Sequence, residues 1–443
     1  MNNTNKPPAL LGLSTGRFAP RIDLSSQDGH IALLGAPCTH SVIVNKILQA
    51  QIRAGGGAIF VDATNDDGAV ESLCKEASAL GRSVTIVNTP FFARSKDGLR
   101  EAPRAFFMAE ELDPYERVHD AYVVGLNPLA FGEAPEVASR MVNSLLEDEG
   151  SAGYDYRVMQ ITFVLTSILA ALFEQGPRPN VLDLAKVLNS EAALEDLGRS
   201  RAGESVQAAL ARFRSPQGGS LDMTKLRTLL GGFSGRLVQL GTGNYADVFA
   251  GEKEVLDLRG VLQRNEIAVL RVDCMGKNSL RGVIARMFLA EICGALRDHI
   301  EKGSVYDPQR PPFLIYTGRD LDECQGATFL RILELATSSQ TSVVWSRSNV
   351  EASSPQVSTM RAALACTDNS LVLRPKRPSE VAALYETFAG AVFAPPGKGQ
   401  GLFRKFRRGA SLFSPERLLG LKLGHAVLIS DKLGSKYVEL MTS

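Results

Sequence analysis

An apolar run, Ile31-Ala-Leu-Leu34, ends at Gly35, and a helical period of apolar residues begins just after Ser41. Buried strand, glycine turn and a helix opening on a hydroxyl form the layout of a phosphate-binding loop. That loop reads Gly, four residues, then Gly-Lys-Ser/Thr. The first Gly stands at 35 and the hydroxyl at Ser41, with Ala36, Pro37 and Cys38 between them. Thr39 takes the place of the second Gly, and His40 that of the Lys. The shape is that of a nucleotide site, while the chemistry is altered.

The same alternation continues along the chain. The period predicts a helix from Ser41 to about Ala54, after which Gly55-Gly-Gly57 turns the chain into the all-apolar strand Ala58-Ile-Phe-Val-Asp62. A helix over 68–80, closed by Gly81, and a strand over 83–87 follow. Strand and helix alternating at this spacing predict a parallel, doubly wound α/β sheet. In such sheets ligands sit beyond the strand C-terminal ends, where the 35–41 loop lies.

Residues 94–120 are polar with Phe106 and Phe107 as punctuation, and read as a surface excursion; 121–129 read as a strand and a turn. From 136 to 235 the periods are helical (136–147, 155–175, 181–188, 191–197, 203–214 and 222–231), separated by Gly and Pro. The α/β pattern then resumes. Strands are expected over 266–272, 312–317, 341–346, 370–373 and 425–429. Helices are expected over 278–301 (long and amphipathic), 326–338, 355–365 and 378–388. Residues 1–29, rich in Pro, Asn, Ser and Gly, read as an irregular lead-in. The α/β domain is then 30–152 together with 236–443, interrupted by an all-α insertion over 153–235.

Composition excludes little. A chain of 443 residues exceeds one typical core, and 44% hydrophobic with 22% charged residues is ordinary for a globular protein. A net charge of +1 confines any nucleic-acid contact to a local patch. The one such patch is Gly397–Gly409, where Lys398, Arg404, Lys405, Arg407 and Arg408 accompany Phe403 and Phe406. It reads equally as a solvated loop. The six cysteines (38, 74, 274, 293, 324 and 366) show no metal-ligand spacing and read as reduced thiols of a cytoplasmic protein. The N-terminus lacks the apolar core of a signal peptide. The run Val158–Phe173 is shorter than the roughly 20 residues of a membrane span and carries Gln160, Thr162, Thr166 and Ser167, so it reads as a buried helix.

Taken in order, several pieces resemble a known family. Gly55-Gly-Gly-Ala-Ile-Phe-Val-Asp-Ala-Thr-Asn-Asp66 looks like a Gly-Gly-x-strand-Asp-x-Lys-Gly-Asp segment. Gly81-Arg82 and Leu126-Asn-Pro-Leu129 follow at fitting places. So do Tyr245-Ala-Asp-Val-Phe249 with Leu256–Leu262, and Pro311–Tyr316 with Ser342-Val-Val-Trp345. The set resembles the TraD/TraG-like coupling proteins of type IV secretion and conjugation, most of all the DotL/TrbC-like branch. The resemblance implies a RecA-like P-loop NTPase sheet flanked by helices, with an all-α insertion. It also implies ATP with Mg²⁺ as cofactor, a hexamer or mixed ring, type IV secretion components including an active coupling ATPase as partners, and DNA or protein as cargo. The family's N-terminal membrane segments have no match here, so the resemblance implies a cytoplasmic chain, peripheral at the inner membrane through its partners.

The departures fall on the chemistry. The acidic pair that ends the family's Walker B strand corresponds to Gly318 and Arg319, the polar sensor to Arg347 or Ser348, and the Lys-Gly after Asp62 to Thr64 and Asn65. Thr39 brings a Cβ where backbone must approach phosphate closely. Pro37 removes an N–H donor. His40 is shorter than Lys and mostly neutral at pH 7, its ordinary pKa being about 6.5. Gly318 lacks the carboxylate that would orient Mg²⁺, and Arg319 reverses the sign where a water-activating Glu is expected. The expectation is a catalytically degenerate ATPase with a structural or regulatory role. Two alternatives stay open: an active translocase, and a nucleic-acid-binding module acting through 397–408. The 35–41 loop itself reads as a plain capped turn, a weak nucleotide site, or a hydrolytic one. The catalytic candidates are Asp322 and Glu323, which read also as a solvated helix start, and Arg286, a finger at a subunit boundary or a surface ion-pair member.

Overall fold

The computed structural model describes residues 12–14, 22–23, 29–35, 40–63, 67–89, 94–95, 98–99, 121–146, 153–215, 219–251, 254–272, 280–302, 313–318, 321, 326–348, 357–375, 377–393, 418–421, 425–430 and 434–440. In chain order the first elements are β1 (Gly12–Ser14), β2 (Ile22–Asp23), β3 (Ile31–Leu34), α1 (His40–Arg53), β4 (Ala58–Asp62), α2 (Asp67–Ala79) and β5 (Val84–Asn88). The small hairpin β6 (Arg94–Ser95) and β7 (Gly98–Leu99) and the strand β8 (Ala121–Val123) come next. A run of helices follows: α3 (Ala134–Leu145), α4 (Tyr154–Gln175), α5 (Val181–Asn189), α6 (Glu191–Gly198), α7 (Gly203–Leu210), α8 (Met223–Gly241), α9 (Ala246–Phe249) and α10 (Leu258–Arg264). The chain closes with β9 (Ile267–Arg271), α11 (Leu280–Glu301), β10 (Phe313–Thr317), α12 (Gly326–Ser338), β11 (Thr341–Arg347), α13 (Val357–Ala365), β12 (Asn369–Leu373), α14 (Pro378–Phe393), β13 (His425–Ser430) and β14 (Gly434–Leu440).

Twelve of the described strands form one sheet in the order β2-β1-β14-β13-β12-β3-β11-β10-β4-β9-β5-β8. From β12 to β8 every pairing is parallel. Strands of a parallel sheet are covered on both faces, which is why β3, β4, β9 and β10 are buried at every position and read as unbroken apolar runs. One face packs Leu33, Phe60 and Val344 against Ile43, Ile47, Val70 and Leu73 of α1 and α2. The other packs Leu34, Val61 and Trp345 against α11 and α12 through residues such as Phe288, Ile292 and Phe329.

The structure corrects the sequence reading in four places. The sheet is not wholly parallel: β13, β14, β1 and β2 add an antiparallel wing, so residues 12–14 and 22–23 of the expected irregular lead-in are strands. Helix α8 continues to Gly241, well past the glycines at 231, 232 and 235, because Phe233, Leu237 and Leu240 are buried on one face. The expected amphipathic helix α11 is buried at every position from Gly282 to Leu296, since it lies between the sheet and other helices. Helix α4 is 22 residues long, and by length and composition it could cross a membrane. Its second half packs inside, with Val164, Leu165, Ile168 and Leu169 inaccessible, whereas Tyr156, Met159 and Phe163 near its start are exposed.

Candidate functional site

Because β3, β4, β9, β10, β11 and β12 run parallel, their C-terminal ends share one edge of the sheet. Strand β11 stands between β3 and β10. The edge therefore carries, side by side, the exits at Gly35, Arg347, Gly318, Asp62 and Arg271. This is the rim at which a parallel sheet takes its ligands.

At the exit of β3, the Gly35 N–H donates to the Arg347 carbonyl at 3.0 Å, and the backbone turns with φ of 111°. A Cβ at Gly35 would lie 2.7 Å from the Leu373 carbonyl oxygen, so both the dihedral and the space demand glycine. The turn leads to α1, which begins at His40, one residue earlier than expected. His40 is buried (4% exposed) and Ser41 is half-buried in the first turn. Of the loop between them, Ala36, Pro37, Cys38 and Thr39 lie outside the described residues.

At the exit of β10 a different constraint acts. The Gly318 N–H donates to the Val61 carbonyl at 3.0 Å, continuing the pairing with β4 by one residue. A Cβ at Gly318 would stand 2.6 Å from the Val61 oxygen and 2.9 Å from the Ala63 nitrogen. Both are backbone atoms that cannot swing aside, so the close approach of β4 excludes any side chain at this place. Thr317, the last residue of β10, is buried at 1% exposure. Arg319, Asp322 and Glu323 lie outside the described residues, as do Thr64 and Asn65.

Next along the rim, Asp62 and Arg271 are paired in register on β4 and β9. Their side chains meet at 3.3 Å (Arg271 Nε to Asp62 Oδ2), with 1% and 3% exposure. The edge is tied further by the Val272 N–H on the Asp62 carbonyl at 2.9 Å and the Thr89 hydroxyl on the Arg271 carbonyl at 2.6 Å. The Cys74 thiol of α2 is pushed up to about 11 by burial, against the opposing pull of Arg271. Asp62 is thus engaged by a guanidinium within the protein. Sequence reasoning marked Asp62 as a matching residue but passed over Arg271, whose signal was a lone Arg inside the apolar run Ile267–Val272.

Arg347 ends β11 with no exposed surface, and Ser348 follows it half-buried. Arg286 is placed away from this rim. It is 5% exposed, and its Nε donates to the Ser144 carbonyl near the end of α3 at 2.8 Å. Burial removes it from any surface, so it is neither a surface ion-pair member nor a finger presented at the exterior of this chain. Lys398, Arg404, Lys405, Arg407 and Arg408 lie outside the described residues.

No family model and no curated protein matches the sequence itself. Solved structures do. The bacterial conjugative coupling protein TrwBΔN70, in an unbound form, superposes with a TM-score of 0.61 at 13% identity, over 99% of this chain and 90% of that one. The chain has the fold of TrwB, a RecA-like P-loop NTPase fold. VirB4 of Thermoanaerobacter pseudethanolicus matches with a TM-score of 0.52 at 10% identity, over 97% and 96% of the two chains. TrwB has been captured with the non-hydrolysable GTP analogue GDPNP, at a TM-score of 0.58, 14% identity and coverage of 98% and 90%. It has also been captured with ADP and Mg²⁺. On this chain a glycine turn stands at the β3 exit, and at position 318 of the β10 exit there is no space for a carboxylate. The described rim residues do not fit Mg²⁺: Gly318 carries no donor and the Asp62 carboxylate is held by Arg271.

Proposed function

We propose that this chain is a coupling-protein-like component of a type IV secretion or conjugative DNA-transfer apparatus in which the nucleotide frame is kept and ATP hydrolysis is lost. Its role is structural or regulatory, as a ring partner or docking platform for an active coupling ATPase. The fold it shares with TrwB and VirB4 over nearly its whole length supports the first part.

The observation that carries the second part is Gly318. Hydrolysis on such a frame needs a carboxylate at the end of the strand one place removed from the phosphate-loop strand, here β10, to hold the metal's water and polarise the attacking one. Here that place is filled by the Val61 oxygen and Ala63 nitrogen of the next strand, and Asp62, the nearest described carboxylate, is held by Arg271. Loss of such electrostatic positioning costs several powers of ten in rate.

Phosphate release from ATP and Mg²⁺ by the full chain, compared with Ser41→Ala, tests the proposal. The expected result is release at the buffer rate for both. Robust release that Ser41→Ala abolishes would overturn it in favour of an active translocase.

A further inference from the structure

Away from the rim, five charged side chains converge where α3, α10 and α11 meet. Glu291, in the middle of α11, is 4% exposed; Arg140 on α3 and Arg259 on α10 are each 7% exposed. Arg140 Nε lies 2.8 Å from Glu291 Oε1, yet neither atom is in hydrogen-bonding geometry. The Arg259 Nη atoms stand 3.8 Å from Glu291 Oε2 and from Glu136 Oε1, beyond hydrogen-bond reach. Arg259 Nε pairs with Asp298, and Arg140 Nη1 reaches Glu136 at 3.4 Å. A Cβ at Gly294 would come within 3.2 Å of Glu136 and 3.3 Å of Arg140, so this glycine makes room for the cluster.

The cluster holds a junction together. Arg140 Nη2 donates to the Pro128 and Phe131 carbonyls at 2.9 and 2.7 Å, which hangs the connection from β8 to α3 on that one guanidinium. Arg259 lies over the Phe131 ring, 5.3 Å from its centroid. Helices α10 and α11 flank β9 in sequence, and β9 ends at Arg271 on the ligand rim. Glu291 sits roughly 16 Å along α11 from that helix's start.

Two guanidinium groups face three carboxyl groups. Fully ionised, the cluster carries an excess negative charge in a closed space. One proton balances it, and the most deeply buried acid is where that proton is least costly. We propose that Glu291, Arg140, Arg259, Glu136 and Asp298 form a proton-gated joint, closed while Glu291 carries a proton and loosened when it loses it. Burial pushes the Glu291 carboxyl up to about 7, opposed by Arg140 and Arg259 and reinforced by Glu136 and Asp298. The charges on the other helices packed on α11 are directed elsewhere, Arg236 of α8 to the Leu145 carbonyl and Arg331 of α12 to Glu334, and the charges that act on Glu291 are the four of the cluster. A carboxyl whose folded pKa is raised stabilises the folded joint at low pH and ceases to do so as pH rises through the folded value. The window therefore runs from its ordinary 4.5 to about 7.

Amide hydrogen exchange of the full chain, corrected for the intrinsic pH dependence of exchange, tests this at about pH 6 and about pH 8, either side of the Glu291 carboxyl. Protection of residues 127–145 is expected to fall about tenfold at the higher pH in the native chain. In Glu291→Gln it is expected to stay within about twofold across the same range. Glu136→Gln, at a half-buried position, removes a like charge and makes ionised Glu291 less costly, so over a pH series its loss of protection is expected at lower pH than in the native chain. An unchanged pH response in Glu291→Gln, a native chain with no pH response, or a Glu136→Gln transition at the native pH would each overturn the proposal.

Discussion

The two edges of the parallel sheet use their polar residues differently. At the N-terminal edge, polar groups bind the frame. His30 Nδ1 accepts from the Val343 N–H at 3.1 Å, while its Nε2 lies 2.9 Å from the Leu333 carbonyl and 3.0 Å from the Thr337 hydroxyl. Asn265, at φ of 59°, accepts from the Gly57 N–H at 2.6 Å and donates to the Gly55 carbonyl at 2.8 Å. Arg82 bridges the Gly56 and Asn265 carbonyls, each at 2.6 Å. At the C-terminal edge, the described residues are instead turned inward or bare: Asp62 is on Arg271, Arg347 is buried, and Gly318 has no side chain. The residues that bind the frame at one rim are thus different from those that stand at the other, so each rim can change without the other.

Substitutions can break that contrast. The largest effect is expected from Asp62→Ala, which removes the carboxylate neutralising a guanidinium of 3% exposure. It should cost about 3–5 kcal/mol in a denaturant titration. A cost near zero would mean that the pair is not buried as described. Gly318→Asp should cost about 1–3 kcal/mol, or more, because backbone must separate to admit the new Cβ. It should restore no ATP turnover, since the space is lost along with the carboxylate. At the other edge, Asn265→Ala loses two hydrogen bonds and places alanine in a left-handed conformation, at about 1–3 kcal/mol. Asn265→Gly, free of that strain, should recover part of the loss.

The smallest effect is a pH dependence at His30. Burial, the leading cause, lowers its pKa below the ordinary 6.5, against the opposing pull of the Leu333 carbonyl and Asp368. A folded pKa below the unfolded one means that the unfolded state takes up the proton first. His30 therefore contributes stability that is present above 6.5 and is lost as pH falls toward its folded value. In His30→Gln that acid-side slope in melting temperature should flatten; an unchanged slope would assign it to other groups.

Local signals made much of the fold legible. Helix α12 and strand β4 stand at the residues the periodicity gave, and α1 begins within one residue of its expected start, because apolar period and glycine stops coincide there. What escaped was non-local. The antiparallel wing depends on β14 finding both β13 and residues 12–14, and short edge strands carry little pattern of their own. The Asp62–Arg271 pair joins residues 209 apart in sequence, and nothing short-range announces it. The helix over 278–301 read as amphipathic, whereas Glu291 in its middle is a buried acid because other helices cover α11. For the site, the sequence showed that residue 318 is glycine. Only the structure shows that the Val61 carbonyl occupies the space a side chain would need.

Single-turnover hydrolysis, with full-length protein in excess over γ-labelled ATP and Mg²⁺, tests the central claim most directly, because it detects chemistry even when product release is slow. The expected result is label release at the buffer rate for the native chain and for Gly318→Asp alike. Release by the native chain several powers of ten above buffer, lost in Ser41→Ala, would contradict it.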